Sequence, residues 1–223
     1  MPNLYAHSED GYVRMTHAGW ANARDAASGN SSSSSGTVSS IGTSAYASAG
    51  RGGGTTYFVQ RSFFYFNTSA ITTDVQSATF KVYGAGNTSG DLIAVKSNLG
   101  IATLGTADFD AIEGWDTSTG ADGSGAGDQE SNVTKYSNEK TSWAVGYNDI
   151  PLNGTAKNDM RTLSTVYLCL INYDYDLKDV DPASASDNKN GIYYSNYTGT
   201  SRDPYIEYTL DPGNNGLFFG ANF

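Results

Sequence analysis

The stretch from Arg61 to Gly84, RSFFYFNTSAITTDVQSATFKVYG, constrains this chain more than any other. Successive side chains of an extended chain point to opposite faces. Phe63 and Tyr65 therefore take one face, and Phe64 and Phe66 take the other. A strand with large aromatics on both faces must be covered on both, which demands packed layers. One cover is a facing sheet. The second is a loop, the N-terminal segment or a partner subunit.

The rest of the chain supplies short strands to build such layers. DGYVRM (Asp10 to Met15) reads as a first strand, and SATFKVYG alternates with Phe80 and Val82 on one face. DLIAVKSN, TSWAVGYNDIPL, GIYYSNYTG and PYIEYTL follow the same pattern. STVYLCLINYDY is apolar on both faces, which marks a central strand. One segment, Gly154 to Ser164, has helical character. The sum is about eight or nine antiparallel strands separated by Gly, Asn, Asp and Pro, the pattern of an all-β jelly-roll β-sandwich. We expect one domain over residues 1–212. Within it, residues 26–56 are Ser- and Gly-rich and read as a long loop, or a flexible excursion with one short strand, outside the core. Residues 213–223 form an aromatic tail.

Composition narrows the function classes. The chain has 13 Lys and Arg against 23 Asp and Glu, a formal charge of −10. Such a surface repels phosphate, so neither nucleic acid nor an anionic membrane is an expected partner. No apolar run approaches the ~18 residues needed to span a bilayer. The single cysteine, Cys169 in VYLCLI, cannot form an internal disulfide and reads as a small buried hydrophobe. The N-terminus has neither a basic region nor an apolar core and does not read as a signal peptide.

The two histidines, His7 and His17, come without a nucleophile elbow, so no catalytic residue is assigned and no enzyme is expected. Acidic pairs among Asp108, Asp110, Glu113, Asp116, Asp128 and Glu130 could serve a glycosidase, and equally read as solvated charge. Asp174, Asp176, Asp179 and Asp181 offer oxygen ligands for a structural Ca²⁺ in one loop, with a solvated acidic loop as the alternative. No other cofactor is expected. Trp20, Trp115 and Tyr136, with Tyr197, are candidates for a glycan-stacking platform. Trp143, in TSWAV, reads as core. Leu217, Phe218, Phe219 and Phe223 in the tail read as a docking anchor for other subunits, or as a flap folded back over the domain.

Arg61, Phe64, Phe66, Ile71, Ser77, Ala78, Phe80, Val82 and Tyr83 together resemble the opening of DNRLRE-type domains. Pro204, Ile206, Tyr208 and Thr209 in RDPYIEYTL resemble that family's closing strand, and SEDGYVRM its first. The resemblance implies a jelly-roll sandwich similar to carbohydrate-binding modules, as found in structural proteins of tailed phages. It is a resemblance of packing residues, so it speaks to fold more than to function. The expectation it carries is a non-enzymatic virion protein on the particle exterior. As a capsid decoration or cement protein it would dock on a major capsid or tail protein, alone or as a homo-oligomer. The alternative is a tail-fibre or secreted carbohydrate-binding module that recognises a host glycan.

Overall fold

The computed structural model describes residues 1–34, 36–50, 53–100, 103–118, 125–183 and 187–212. The tail residues Leu217, Phe218, Phe219 and Phe223 lie outside the described residues. The fold is all-β and mostly antiparallel. The described strands, eleven in number, are β1 (Asn3–Tyr5), β2 (Gly11–His17), β3 (Ser31–Ser33), β4 (Val38–Ala49), β5 (Thr55–Asn67), β6 (Val75–Thr88), β7 (Leu92–Lys96), β8 (Gly146–Pro151), β9 (Thr165–Asn172), β10 (Lys189–Tyr193) and β11 (Tyr205–Leu210). Two helices join them, α1 (Trp20–Arg24) and α2 (Gly154–Thr162). The helix expected over 154–164 is therefore present. It starts at Asn153, whose side chain accepts the N–H of Ala156 as an N-cap. Among the described residues no helix is long and apolar enough to cross a membrane.

Two sets of strands face each other across one core. In the first, β2 pairs with β3 and β5, β5 with β9, and β9 with β7. In the second, β6 pairs with β8 along one edge and with β11 and β10 along the other, and β1 pairs with β11. The core holds Phe64 and Phe66 of β5 and Leu168 and Leu170 of β9 against Phe80 and Val82 of β6, Ile150 of β8 and Ile206 of β11. Phe80 meets both β5 rings edge-on, at 5.1 Å from Phe64 and 5.6 Å from Phe66. Edge-to-face contacts of this kind suit the ring quadrupoles.

β4 ties the two sets together. Its first half pairs with β10 and its second half with β5. This corrects the expectation that residues 26–56 form a loop outside the core: β3 and β4 lie in that stretch, and Thr43, Ser44, Ala45 and Ala47 are buried. The small side chains have a packing reason. A Cβ on Gly42 would sit 2.6 Å from Cβ of Ile192 on β10. The Ser- and Gly-rich composition that reads as flexible is what lets this strand pass close to its neighbour.

The second aromatic face of β5 is covered by the chain itself. Phe63, with Cys169 and Ile171 of β9 and Ile93 and Val95 of β7, packs against Ala23 of α1 and against Leu99, Leu104, Phe109, Ile112, Val133 and Leu177 of the connecting segments. Cys169 is fully buried there. Each fully buried Phe contributes roughly 1.5–3 kcal/mol when removed from water.

Arg61 fastens this cover. It points to the same face as Phe63 and lies between the rings of Phe109, at 4.2 Å, and Trp115, at 4.0 Å. It binds the Asp176 carboxylate through two nitrogens and donates to the carbonyls of Phe109 and Arg24. Arg24 in turn donates to the carbonyls of Asp176, Gly127 and Leu177 and pairs with Asp25. Two buried guanidinium forks thus satisfy backbone carbonyls from four separate stretches of chain, which is how irregular chain can sit over a core without stranded polar groups.

Candidate functional site

The four aspartates read as a Ca²⁺ loop do not converge. Asp176 is consumed by Arg61, fully buried. Asp179 accepts from the Trp20 indole at 2.9 Å and from the Gly127 N–H. Asp181 accepts from the Tyr57 hydroxyl. Asp174 turns elsewhere, to Asp91 and Glu139, and the acidic oxygens of this trio lie within 4.8 Å of one another. Burial and acidic neighbours raise the carboxyls of Asp91 and Glu139 above their ordinary range. Residues Tyr173–Leu177 wind into a single π turn, in which Asp176 is buried and Asp174 is not; Asp179 and Asp181 follow it.

The expected glycan platform is also divided. Tyr136 is fully buried in the inter-sheet core, its hydroxyl donating to Asp159 at 2.7 Å. Trp115 is half-buried with Arg61 and Arg24 over its ring, and Trp20 packs beside Tyr57. Both tryptophans belong to the cover of the second face rather than to a shared surface. Trp143, read as core, is buried and donates its indole N–H to the Gly191 carbonyl.

The histidines take local roles. His17 accepts the N–H of Gly19, and His7 stacks on Tyr65 at 4.4 Å with its Nδ1 hydrogen-bonded to the Tyr65 hydroxyl. Ser195 Oγ lies 2.6 Å from the Asp10 carboxylate and 3.0 Å from the His7 carbonyl, so it meets that residue at the backbone and not at the imidazole.

The second set of strands presents a different surface. Along β6, Phe80 and Val82 face the core, while Lys81 and Tyr83 face outward. The same alternation turns Tyr147 of β8, Tyr193 of β10, Tyr205 of β11 and Tyr5 of β1 to the outer side. Register then lines them up: Tyr5 is opposite Tyr205, and Tyr83 is opposite Tyr147. The result is a continuous row of rings, Tyr5–Tyr205–Tyr147–Tyr83–Tyr193–Tyr197, with successive centroids 5.5, 5.3, 5.1, 5.4 and 4.8 Å apart. Apart from Tyr5 with Tyr205, each neighbour pair is edge-to-face, with interplanar angles of 74° to 88°. Such packing fixes the rings against one another.

Charges edge the row. Lys81 binds Asp149 at 3.0 Å and Glu207 at 3.7 Å; the hydrogen bond to Asp149 helps hold its ammonium above the usual range. Arg202 lies over the far end, its Cζ 4.6 Å from the Tyr193 ring, 5.0 Å from Tyr197 and 5.2 Å from Tyr83. The Tyr147 hydroxyl contacts the carbonyls of Ser201 and Asp203, which fastens the loop that carries Arg202. Burial, with Tyr205 and Asp203 nearby, pushes that hydroxyl up to about 12, so it stays a proton donor at neutral pH. Tyr197 is the one member of this row among the aromatics read from sequence as a glycan platform; Tyr83 enters there only through the DNRLRE-type resemblance. The others stand in separate strands, and the excess of Tyr over Phe (16 against 9) was the available signal.

No protein-family model matches the chain, and no curated protein matches it.

Proposed function

We propose that this protein is a non-enzymatic recognition module displayed on the exterior of a phage particle, and that the tyrosine row is its working surface. The row is the single observation that carries the recognition reading. Tyrosine gives a large, rigid contact area with a polar tip at small entropic cost, which is why it is favoured at binding surfaces. The covered second face of β5 supports the same reading, because the domain closes its own core and can spend its outer sheet on a partner.

The virion setting is carried by the resemblance to phage structural domains. In that setting the protein is a capsid decoration or cement component docked on the major capsid or tail protein, with the 213–223 tail as anchor. Immunogold labelling of particles from the source organism tests it. Gold over the shell supports a decoration protein. Gold on the tail alone makes the protein an adsorption component. Unlabelled particles remove the virion setting.

A second reading is favoured by the same row: a tail-fibre or secreted carbohydrate-binding module. Sugar rings present C–H faces to aromatic rings and hydroxyls to polar edges, and the tyrosine row offers both.

A further inference from the structure

We infer that the tyrosine row is the contact face of a two-fold symmetric dimer, in which Arg202 of each copy pairs with Glu207 of the other. This rests on the reading of the row as the recognition surface, and it names the partner: a second copy of this chain.

The rings form a compact patch, because strand register doubles the row back over β6. Tyr5 and Tyr205 lie on one side of β6, Tyr147 on the other, and Tyr193 on the first side again. Tyr5 and Tyr147 are the most exposed members, at 45% and 38%. Val38 of β4, paired with Tyr193, adds an exposed apolar side chain at the rim. Rings held edge-to-face, with a guanidinium over three of them, lose little side-chain freedom on meeting another protein. Tyr and Arg are also the residues that most often dominate such contacts.

The choice of a second copy follows from charge. Arg202 has no carboxylate partner among the described residues. Its one hydrogen bond there is a long one from Nη1 to the Tyr197 hydroxyl, at 3.4 Å. Ring faces hold the guanidinium fork without using its N–H donors, which suit a carboxylate. At the other end of the patch Lys81 has two carboxylates, Asp149 at 3.0 Å and Glu207 at 3.7 Å. Asp149 takes the ammonium through both oxygens, which leaves Glu207 in excess. One face therefore carries a surplus cation at one end and a surplus anion at the other, with aromatic rings between. Glu207 is level with Thr79 and Arg202 lies over Tyr83, a separation of roughly 13 Å along β6 at about 3.3 Å per residue. A face of this kind is complementary to itself. A two-fold axis lying in the face, midway between the two charges and perpendicular to the line joining them, sets each Arg202 on the Glu207 of the other copy. It also sets the central rings against the same rings of the other copy. Both copies use the whole face, so the assembly closes at two. The overall charge of −10 opposes association at long range, but that repulsion is screened beyond about 8 Å at physiological ionic strength.

The test is sedimentation velocity of the full chain over a wide concentration range at physiological salt. We expect a monomer–dimer equilibrium with no larger species. Arg202→Glu should weaken the dimer roughly tenfold or more, because it sets like charges together at both contacts. Glu207→Lys should do the same. An equimolar mixture of these two variants should dimerise again, since one contact of the mixed dimer keeps its native pair and the other carries it reversed. Tyr147→Ala should weaken the dimer roughly fivefold or more. Thermal melts of each variant separate lost association from lost folding. A dimer that survives both Arg202→Glu and Tyr147→Ala overturns the face, and a mixture that stays monomeric overturns the pairing of Arg202 with Glu207. Larger assemblies overturn the two-fold closure. A monomer at every concentration overturns the dimer. Loss of Arg202→Glu from particles then makes another virion protein the occupant and leaves the recognition face standing, whereas its normal incorporation removes that reading of the face as well.

Discussion

Arg61 and Asp176 meet through two nearly parallel hydrogen bonds, Nε to Oδ2 at 2.9 Å and Nη2 to Oδ1 at 2.8 Å, with both side chains fully buried. One residue sits on the central strand β5 and the other in the π turn after β9. The pair therefore joins the sheet to the irregular segments that cover it. Burying two charges carries a large desolvation cost, so the pair is better understood as fixing the position of the cover than as a net source of stability.

Removing one partner strands the other. Asp176→Ala should destabilise the domain by about 3–5 kcal/mol, the range for an uncompensated buried charge. Urea denaturation measures it. The double variant Arg61→Met/Asp176→Leu should recover much of the loss, and failure to recover would show that the hydrogen bonds from Arg61 to the Phe109 and Arg24 carbonyls matter more than the charge.

The cover should fail when its central ring is removed. Phe109 is fully buried and lies against Arg61. Phe109→Ala should cost about 3–5 kcal/mol. It should also open the Arg61–Trp115 stack, so the tryptophan fluorescence should shift to the red before global unfolding. An unshifted spectrum would place the cover's strength elsewhere.

Stability should fall as pH rises through neutrality. Burial, reinforced by the charges of Asp203 and Glu9 and opposed by hydrogen bonds from Ser195, lifts the Asp10 carboxyl from 3.8 to about 7. The folded state thus holds this proton more tightly than the unfolded chain. Its contribution is complete below pH 3.8 and is lost as pH rises towards and through 7. Asp91, Asp110, Glu139 and Asp203 are raised too, chiefly by burial, and act in the same direction. Melting temperatures between pH 4 and 8 should decline in the wild type and decline less in Asp10→Asn, whose amide oxygen can still accept from Ser195. Parallel profiles would remove Asp10 as the source.

The Ser- and Gly-rich strand should be intolerant of size. Gly42→Ala places a Cβ against three atoms of Ile192 at 2.6 to 2.9 Å. About 1–3 kcal/mol of destabilisation is expected, as for other overpacked sites. A thermal melt decides it; an unchanged midpoint would mean that β4 and β10 part easily.

Much of this molecule was legible in its residues. Alternation in RSFFYF and SATFKVYG gave the faces of β5 and β6, because side-chain direction in a strand is local. Double-sided apolar character marked β9 as central, and the capping Asn153 opens the one helix the sequence signalled. The short helix α1 carried too little pattern to be seen, and β4 was hidden because small residues score as loop when the neighbour that requires them, Ile192, is distant in sequence.

The candidate sites fared differently for the same reason. Asp174, Asp176, Asp179 and Asp181 are neighbours in sequence, yet their carboxylates take separate partners: Asp91 and Glu139, Arg61, Trp20 and Tyr57. Tyr5, Tyr83, Tyr147, Tyr193 and Tyr205 are scattered through the chain and neighbours on the sheet. The sequence by itself determined which face of each strand a side chain takes, a matter of adjacent dihedral angles. Only the tertiary structure decided which strands lie side by side and in what register, because that depends on burying one shared core between residues far apart in the chain. The tyrosine row with Arg202 at its end is a product of that second decision.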